Sequence, residues 1–589
     1  MTANVWAVAG RRAGATGETT GETRPAPAAE AGTASEASGR RFPRWAWAGA
    51  LVAVAVALFL LYLRLADTYP AGPDGADQTL QAWDMLHGNW LLRGWTVGDV
   101  SYYTTEIPEY VLIEVFRGLG TSVMHIAGAL TYTMLVLLAA FLAKGRATGR
   151  EGVVRALVAA GIMLAPQLGN GIHLLLSQPD HLGTQVPLLV MFIVLDRAPR
   201  RWYVPAAVLV MLTWVVVGDQ VAVFDAAVPL AAVCGIRVLW ALIRDRKLPT
   251  ARSLAAQWFE LSLAVASLAS LGAAAVIVSA IKRAGGYTVL PLTTGHSPLN
   301  LIGQHLVLTM EGILNVYGAD FLGISSANLP GNVPGVASGG LPAWVTVALA
   351  IVHLVGVALA LWGLCRAFRR FFWATDLIAP VLASAIVINV AVYVVSIRPV
   401  NLFDTREVLA VLPFGAVLAG RTLGGTLIRA RVEPALAVVL ACYAFALGYG
   451  ASRPAVPNSE QPVISWLEAH GLRTGLGTYT EANAITIDSG GRVAVRTASW
   501  RPTGAVPRAY ESKASWYDPA VSYANFVISN AADLVGPSEV SVVPYADILA
   551  FAGPPAHTYH YESFTIMVWN KNLLADLGRP TSVLPGNIP

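Results

Sequence analysis

The amino-acid sequence predicts a polytopic α-helical membrane protein with about eleven transmembrane helices. It also predicts interfacial helices in the first exported loop and a small exported α/β domain at the C-terminus. Two observations lead to this fold class. The residues AVILMFWYC supply 55% of the 589 positions and DEKR only 13%, about half of the charged share of a soluble domain. In addition, apolar runs long enough to cross a hydrocarbon core of about 30 Å recur along the chain.

Charge and motif content argue against several classes of function. The net charge of +4 is small for 589 residues, and the basic residues occur in short scattered groups, which disfavours binding to nucleic acid. The chain contains no Walker-type GxxxxGK[ST], no strand-bound GxGxxG, no HExxH and no CxxC pair. ATP-driven transport, dinucleotide chemistry and zinc proteolysis therefore have no support from sequence motifs.

Residues 1–44 are predicted to form a disordered cytoplasmic tail. They are rich in Ala, Gly, Thr and Glu, and such a segment cannot bury enough apolar surface to become ordered. Arg40, Arg41 and Arg44 precede an apolar run from Trp45 to Ala66. This run has the length of a membrane span, whereas a cleaved signal peptide would have a shorter apolar core.

Ten further apolar runs bring the predicted number of spans to eleven. They lie at about 121–143, 153–168, 183–195, 203–217, 220–243, 258–281, 341–364, 376–397, 407–424 and 433–450. Groups of Lys and Arg fall on alternate sides of these runs, which predicts a plasma-membrane protein with a cytoplasmic N-terminus and an extracytoplasmic C-terminal domain. The runs at 183–195 and 203–217 are short for spans, and removing both preserves this orientation. The Ala-, Gly- and Arg-rich composition favours a bacterial source.

The predicted transmembrane module, residues 45–450, leaves three exported hydrophilic pieces. They are the first loop at 67–120, a Gly- and Pro-rich loop at 282–340, and the C-terminal domain at 451–589. In the last piece, residues 461–470 have a helical pattern. Residues 492–496, 526–529 and 564–569 alternate as strands do.

The first exported loop contains the strongest candidate for catalysis. If a helix begins near Asp74, then Asp77, Gln81 and Asp84 share one of its faces. A carboxylate at the bilayer boundary can take a proton from a hydroxyl group or hold a metal ion, and Asp77 is the preferred acid. The structural alternatives are a turn or cap for Asp74 and a solvated helix position for Asp84. The apolar residues predicted to lie on the membrane surface are Leu80, Trp83 and Leu86.

A divalent metal is retained as an alternative cofactor of this loop. The spacing Asp74-Gly-Ala-Asp77 offers two oxygen ligands at positions i and i+3. No neighbouring residue in the sequence completes an octahedral site, so the sequence leaves metal dependence open.

Five further ionisable residues on the exported side are candidates for lining the site. Glu106 and Glu109 flank a proline that can open a second interfacial helix, Asp180 and His181 share a short loop, and Asp219 lies in a tight turn. Ionisable residues at such depth usually have a partner or a function. The alternatives are a helix N-terminus for Glu109, a cap for Asp219 and a hydrogen-bonded loop histidine for His181.

Two arginines between late spans are candidate phosphate ligands. Arg398 and Arg406 lie on the face where positive charge is otherwise scarce. The planar guanidinium group binds anionic oxygens, such as those of phosphate, well. The alternative is an ion-pair network within the loop, among Arg398, Asp404, Arg406 and Glu407.

The first loop resembles that of the GT-C superfamily of polytopic glycosyltransferases, which includes protein mannosyltransferases and aminoarabinose transferases. The resemblance lies in the motif Asp77-x-x-x-x-Ala82-x-x-x-Leu86-x-Gly88, and it extends to the eleven spans, the interfacial helices and the exported C-terminal domain. One departure is specific. Relatives often have an Asp-Glu pair here, whereas this chain has Asp77-Gln78, so a second acid must come from elsewhere or be absent.

The resemblance implies a polyprenyl-phosphate sugar donor and inverting transfer of a hexosyl or pentosyl group to an exported glycan, lipid or protein. Asp77 would be the general base, and Arg398 and Arg406 would hold the leaving phosphate. The stretch from Arg406 to Pro413 is similar to an Arg-Tyr-x-x-x-x-x-Pro ending of that superfamily, with Glu407 in place of the aromatic residue. The residues expected to orient sugar or acceptor are Asp180, His181 and Glu109.

Two other classes of function are kept as alternatives. A secondary transporter or lipid flippase would need polar residues in mid-membrane, broken helices and an inverted repeat; Asp225 is the clearest charge within a span, and no repeat is found. A non-catalytic assembly protein of GT-C-like architecture would explain the missing acidic neighbour of Asp77.

Overall fold

A computed structural model gives the structure of the chain. The described residues are 44–70, 72–244, 250–290, 295–320, 341–372, 376–456, 458, 460–501, 504–530 and 545–578. The predicted tail up to residue 43 and part of the loop at 282–340 lie outside these residues.

Nineteen α-helices occur in the described segments. They are α1 (Arg44–Ala66), α2 (Pro73–Leu86), α3 (Ile107–Arg117), α4 (Ser122–Lys144), α5 (Gly149–Ile162), α6 (Asn170–Leu175), α7 (Leu182–Arg197), α8 (Tyr203–Gly218), α9 (Val228–Arg244), α10 (Ala251–Ala255), α11 (Trp258–Arg283), α12 (Ile302–Val316), α13 (Ala343–Arg369), α14 (Ile378–Val395), α15 (Val411–Arg429), α16 (Glu433–Ala451), α17 (Gln461–Ala469), α18 (Tyr479–Asp488) and α19 (Tyr545–Ala552).

The chain is a multi-pass α-helical membrane protein, as the sequence predicts. Among the described helices, eight are long and apolar enough to cross a membrane: α1, α4, α9 with the π-helical turn before it, α11, α13, α14, α15 and α16. Each of the eleven predicted apolar runs coincides with a helix. The runs at 153–168, 183–195 and 203–217 form the shorter helices α5, α7 and α8, which have 14 to 16 residues.

Small residues allow the central helices to approach closely. α15 packs against α4, α5 and α13, while α11 packs against α8 and α9. A Cβ atom added at Gly420 of α15 would lie 2.3 Å from the carbonyl oxygen of Arg155, and one added at Gly363 of α13 would lie 2.8 Å from the backbone of Leu418. Glycine is therefore required at both crossings, as is common where membrane helices pack.

Two sheets lie in the three hydrophilic segments outside the predicted spans. Their strands are β1 (Trp95–Val97), β2 (Thr288–Val289), β3 (Thr474–Gly477), β4 (Ala494–Arg501), β5 (Gly504–Pro507), β6 (Ser512–Lys513), β7 (Phe526–Asn530), β8 (His557–Tyr561) and β9 (Phe564–Val568). The C-terminal segment forms a six-stranded mixed sheet of order β5-β4-β3-β7-β9-β8. The predicted helix at 461–470 and the three predicted strands are present as α17, β4, β7 and β9.

The smaller sheet joins all three hydrophilic segments. It has the order β2-β1-β6, so the first loop supplies the central strand and the other two pieces supply its neighbours. β1 pairs with β2 in parallel and with β6 antiparallel. The first loop is thereby fixed against the C-terminal segment.

Helix α2 of the first loop is more deeply packed than an interfacial helix would be. It begins with Pro73, which suits the first turn of a helix, and it packs against α3 and α18. Leu80 is buried in a core cluster with Met85 and Ile107, so its predicted place on the membrane surface is wrong. Trp83 is half-buried.

Asp84 has a bracing role in place of the solvated one considered from the sequence. Lys513 of β6 lies 2.9 Å from both of its carboxylate oxygens, and the Trp95 indole donates to it at 2.7 Å. Asp84 therefore links α2 to β1 and β6, two neighbouring strands of the smaller sheet.

Candidate functional site

The candidate site lies where four segments meet. They are the first turn of α2, the loop before α7, the 3₁₀ turn Leu402–Val408 between α14 and α15, and residues 479–511 of the C-terminal segment. Asn401 caps the 3₁₀ turn by accepting from the backbone N–H groups of Phe403 and Asp404, and Asp404 completes a capping box. This cap fixes the turn that carries Arg406.

Arg406 connects the first loop with the loop before α7. Its Nη1 lies 2.5 Å from Asp74 and 3.3 Å from Asp180, and its side chain is 34% exposed. Arg398 pairs with Asp99 at 2.8 Å, so both arginines bind acids of other segments. Asp404 accepts from backbone N–H groups, and no described ion pair closes within the loop. The described side-chain ion pairs of both arginines thus leave the loop, whereas within it Glu407 acts on Arg398 and Arg406 acts on Asp404 through charge alone.

Asp74 is held in its ionised form at the edge of the site. It accepts a hydrogen bond from the hydroxyl of Tyr479 at 2.6 Å as well as the contact from Arg406. Burial raises the pKa of Asp74, but the charge of Arg406 and these hydrogen bonds outweigh burial and leave the pKa below its ordinary value. Asp74 is 23% exposed, so it can reach a ligand.

Asp77 has the opposite character. Its side chain is fully buried, and Asn483 of α18 donates to one of its oxygens at 2.8 Å. Burial raises the pKa of Asp77 to about 8, and the neighbouring charge of Asp74 adds to the shift. Two carboxyl groups three residues apart on one helix therefore differ in protonation at neutral pH, a pattern typical of acid–base sites.

Glu511 supplies the second acid that the first loop lacks. Its carboxyl group interacts directly with that of Asp77, and burial together with the nearby acids raises its pKa well above the ordinary value. The hydroxyl of Tyr479 lies 2.6 Å from Glu511 and 2.6 Å from Asp74. Asp74, Tyr479, Glu511 and Asp77 thus form one continuous chain of polar contacts from the exposed edge to the interior.

Asp180 lies on the other side of Arg406. Gln78 donates to it at 2.7 Å, and Gln178 also donates to it. Gln178 in turn accepts from the backbone N–H of Gly75 at 2.9 Å, which ties this loop to α2. Burial raises the pKa of Asp180, although the charge of Arg406 opposes the shift. The role of Asp180 in lining a substrate site stays a prediction.

His181 and Asp219 form a buried ion pair behind Asp180. Their side chains lie 2.8 Å apart, and Thr184 also donates to Asp219 at 2.8 Å. Burial alone would lower the pKa of His181, but Asp219 raises it to about 10, while His181 lowers that of Asp219. His181 has φ +51°, a left-handed conformation that is costly for a residue with a Cβ atom.

The structure separates Glu106 from Glu109. Glu106 accepts from the backbone N–H of Thr184 at 3.0 Å, so it belongs to the His181–Asp219 group, and burial raises its pKa well above the ordinary value. Glu109 lies in the first turn of α3 and accepts from Thr131 at 2.7 Å. Burial raises the pKa of Glu109 to about 7. No described hydrogen bond or ion pair joins Glu109 to Asp74, Asp77 or Arg406.

Within the described segments, no group of three or more His, Cys, Asp or Glu side chains is placed to hold a metal ion. Asp74 and Asp77 are each engaged by other groups of the protein. Asp74 faces Arg406 and Tyr479, whereas Asp77 faces Asn483 and Glu511.

Four residues of the site were not found by sequence reasoning: Glu511, Tyr479, Asn483 and Gln178. Tyr479, Asn483 and Glu511 each lie more than 400 positions after Asp74 and Asp77 along the chain. Glu511 has φ +51°, a backbone feature with no glycine or turn motif to mark it in the sequence.

No known family model and no curated protein matches the chain. Among solved structures, the oligosaccharyltransferase of Archaeoglobus fulgidus in complex with Zn and sulfate is similar with a TM-score of 0.43 and 13% identity, covering 81% of this chain and 68% of that one. ArnT from Cupriavidus metallidurans in the apo state has a TM-score of 0.41 and 14% identity over 91% of this chain and 100% of its own. ArnT bound to undecaprenyl phosphate gives 0.40 and 13% over 89% and 98%.

Proposed function

We propose that this protein is a membrane glycosyltransferase that moves a sugar from a polyprenyl-phosphate donor to a hydroxyl group of an exported glycan, lipid or protein. One observation supports this function above the others. An accessible arginine, Arg406, shares a site with an ionised acid, Asp74, and with a buried acid pair, Asp77 and Glu511. The helices that flank Arg406, α14 and α15, are both membrane spans by length and composition, so the site lies within reach of a lipid-linked substrate.

The two arginines suit the leaving group. The described hydrogen bonds of Arg406 to acids use Nη1, and those of Arg398 use Nη2. Both side chains are about one-third exposed, which leaves N–H groups for phosphate oxygens. As the bond between the anomeric carbon and the phosphate oxygen breaks, its electron pair departs on the polyprenyl phosphate, and the guanidinium charges stabilise that product.

The acids suit the acceptor. The acceptor oxygen bonds to the anomeric carbon from the face opposite the phosphate, which inverts the configuration, and its proton goes to the carboxylate of Asp74. Tyr479 takes this proton from Asp74 while it passes its own proton to Glu511, so the step uses the fraction of molecules in which the Asp77–Glu511 pair has lost one proton. Asp77 therefore accepts a proton through this chain of contacts. Its full burial keeps it from touching the acceptor directly.

The remaining polar residues suit roles in positioning. Asp180 shares Arg406 with Asp74, and the protonated His181 lies beside it. Hydroxyl groups of a sugar can donate to Asp180. The Asp219 and Glu106 side chains support this loop from behind.

The test is transfer of radiolabelled sugar from a panel of polyprenyl-phosphate sugars by the purified full chain in detergent. We expect Asp74→Asn to reduce the transfer rate at least 100-fold, as loss of a proton acceptor does, with donor binding retained. Glu114→Gln is the matched control, because Glu114 is a buried acid of the same loop outside the polar chain. Equal rates for both variants would refute the assigned chemistry.

A secondary transporter or lipid flippase is the second candidate, and one feature favours it. Asp225 lies in a π-helical turn, Val223–Ala227, at the start of a span, and π-helical turns are frequent at functional sites. Gln185 donates to Asp225 at 2.7 Å, near the His181–Asp219 pair and not in mid-membrane. Substrate flux in proteoliposomes without any transfer product would favour transport. Absence of both activities would favour the non-catalytic assembly protein.

A further inference from the structure

One face of α13 carries two cavities at the end of the helix away from the candidate site. The first has a volume of about 260 Å³ and is lined mainly by apolar side chains of α5, α13 and α16. The second has about 370 Å³ and is lined by Trp362, Cys365, Arg366, Arg369 and Arg370. α13 contributes Val355 and Leu359 to the first cavity. The positions 355, 359, 362, 366 and 369 follow helical spacing, so both cavities lie along a single face of α13.

The basic cavity carries positive charge that no described acid neutralises. Arg429, at the end of α15, lies close enough to Arg366 to act on its charge together with Arg369 and Arg370. The Nε of Arg366 is buried without a hydrogen-bond partner. Across the described segments, no ion pair includes Arg366, Arg369 or Arg370. Four like charges at one place are unfavourable unless an anion joins them.

The described acidic residues near this end of α5, α7, α14 and α16 already form ion pairs with other arginines. Glu151 pairs with Arg155, and Glu433 pairs with Arg150. Asp196 and Asp376 both pair with Arg421. The partner of the Arg366 cluster must therefore come from outside these segments.

The spacing of the two cavities along α13 suits a phospholipid with one acyl chain in the apolar cavity. From Val355 to Arg366 the helix rises about 16 Å, about half of a hydrocarbon core of roughly 30 Å. A lipid whose phosphate lies at the arginines would therefore place an acyl chain in the apolar cavity. Trp362 lines the basic cavity one turn before Arg366, and tryptophan is enriched where a membrane meets water.

We propose that this face of α13 binds a membrane phospholipid with an anionic headgroup, with the phosphate among Arg366, Arg369 and Arg370 and one acyl chain in the apolar cavity. α14 separates this place from Arg406 by 18 residues, about 27 Å of helix. The lipid site is thus distinct from the proposed donor site and independent of the proposed function.

The test is thermal unfolding of the purified full chain in dodecyl maltoside with added dioleoylphosphatidylglycerol or dioleoylphosphatidylcholine. We expect the anionic lipid to raise the Tm by several degrees more than the zwitterionic lipid, since a ligand of the native state stabilises it. R366Q/R369Q/R370Q should abolish this difference. Arg201→Gln, an exposed arginine outside both cavities, should retain it.

A second variant tests the apolar half with every charge kept. A Cβ atom at Gly356 would have its nearest neighbours, Ile162 and Tyr443, at 3.6 Å, so Gly356→Leu should fold and fill the first cavity. It should lose the preference for the anionic lipid. If the triple variant fails to fold, Gly356→Leu and Arg366→Gln alone decide the matter. Equal Tm values with both lipids in the unmodified protein, a preference kept by these variants, or the same shift with inorganic phosphate alone would overturn the proposal.

Discussion

At the scale of residues, the candidate site shows how the environment gives two similar side chains different protonation states. Asp74 and Asp77 lie one helical turn apart, yet Arg406 keeps the first ionised while burial keeps the second largely protonated near neutral pH. Tyr479 joins the two through Glu511. The residue types alone could not reveal this division, because it arises from exposure and from partners contributed by distant segments.

Tyr479→Phe should remove the hydroxyl group that joins Asp74 to Glu511 and keep the aromatic ring in place. We expect the transfer rate to fall about 100-fold or more, within the range of general acid–base contributions, with little change in donor KM. The measurement is steady-state transfer kinetics. Tyr559→Phe, on β8, removes a hydroxyl group outside the site and serves as the control. An unchanged rate in the Tyr479 variant would exclude proton transfer through its hydroxyl.

The raised pKa of Asp77 predicts the sign of a pH effect on stability. The pKa is about 8 in the folded chain and about 3.9 in an unfolded one, so the folded state holds an extra proton between these values. The contribution of Asp77 to the free energy of unfolding is therefore full below pH 4 and is lost as the pH rises through 8. We expect the Tm to fall from pH 5 to pH 8.5.

Asp77→Asn should remove part of this fall in Tm, because the amide does not titrate. Glu468→Gln, at an exposed position of α17, should leave the slope of Tm against pH as it is. A slope identical in the unmodified chain and in Asp77→Asn would contradict the raised pKa.

At the scale of elements, the closeness of the helices depends on glycines whose neighbours are backbone atoms. The added Cβ at Gly420 would meet the carbonyl oxygen of Arg155 at 2.3 Å and Ala143 at 3.0 Å. A carbonyl on a packed helix cannot move aside as the end of a side chain can, so α15 must shift from α5.

Gly420→Ala is expected to destabilise the protein by about 1–3 kcal/mol, the usual cost of overpacking. Gly235→Ala is the matched control in a membrane helix, because no atom lies within 4 Å of the Cβ it would add. Thermal unfolding of both variants in detergent measures the difference. Equal Tm values would show that α15 and α5 are less tightly packed than described.

At the scale of the whole molecule, the proposed orientation has a direct test. The charge pattern places the C-terminal segment outside and the loop before α8 inside. In a cysteine-free background, Val521→Cys should react with an impermeant maleimide in intact cells, while Trp202→Cys should react only after permeabilisation. Both positions are exposed. The reverse pattern would invert the orientation.

The spans, three strands of the six-stranded C-terminal sheet and the first-loop helix could be predicted, because apolar length and periodicity are local properties. The depth of α2 could not, since Leu80 contacts core residues of other segments. In the site, Asp74, Asp180 and Arg406 were named from their chemistry and lie together. Glu511 was missed because its approach to Asp77 is visible only in the folded chain.

The three-stranded sheet also constrains how the protein is made. Asp84 and Lys513 are 429 residues apart, and Asp77 meets Asn483 across 406. A chain emerging from the ribosome therefore makes all of the described spans, the last of which ends at Ala451, before β1 can acquire β6 as a neighbour. The candidate site would therefore stay unassembled until residues 479–513 have been made, and a prematurely terminated chain would occupy the membrane without this site.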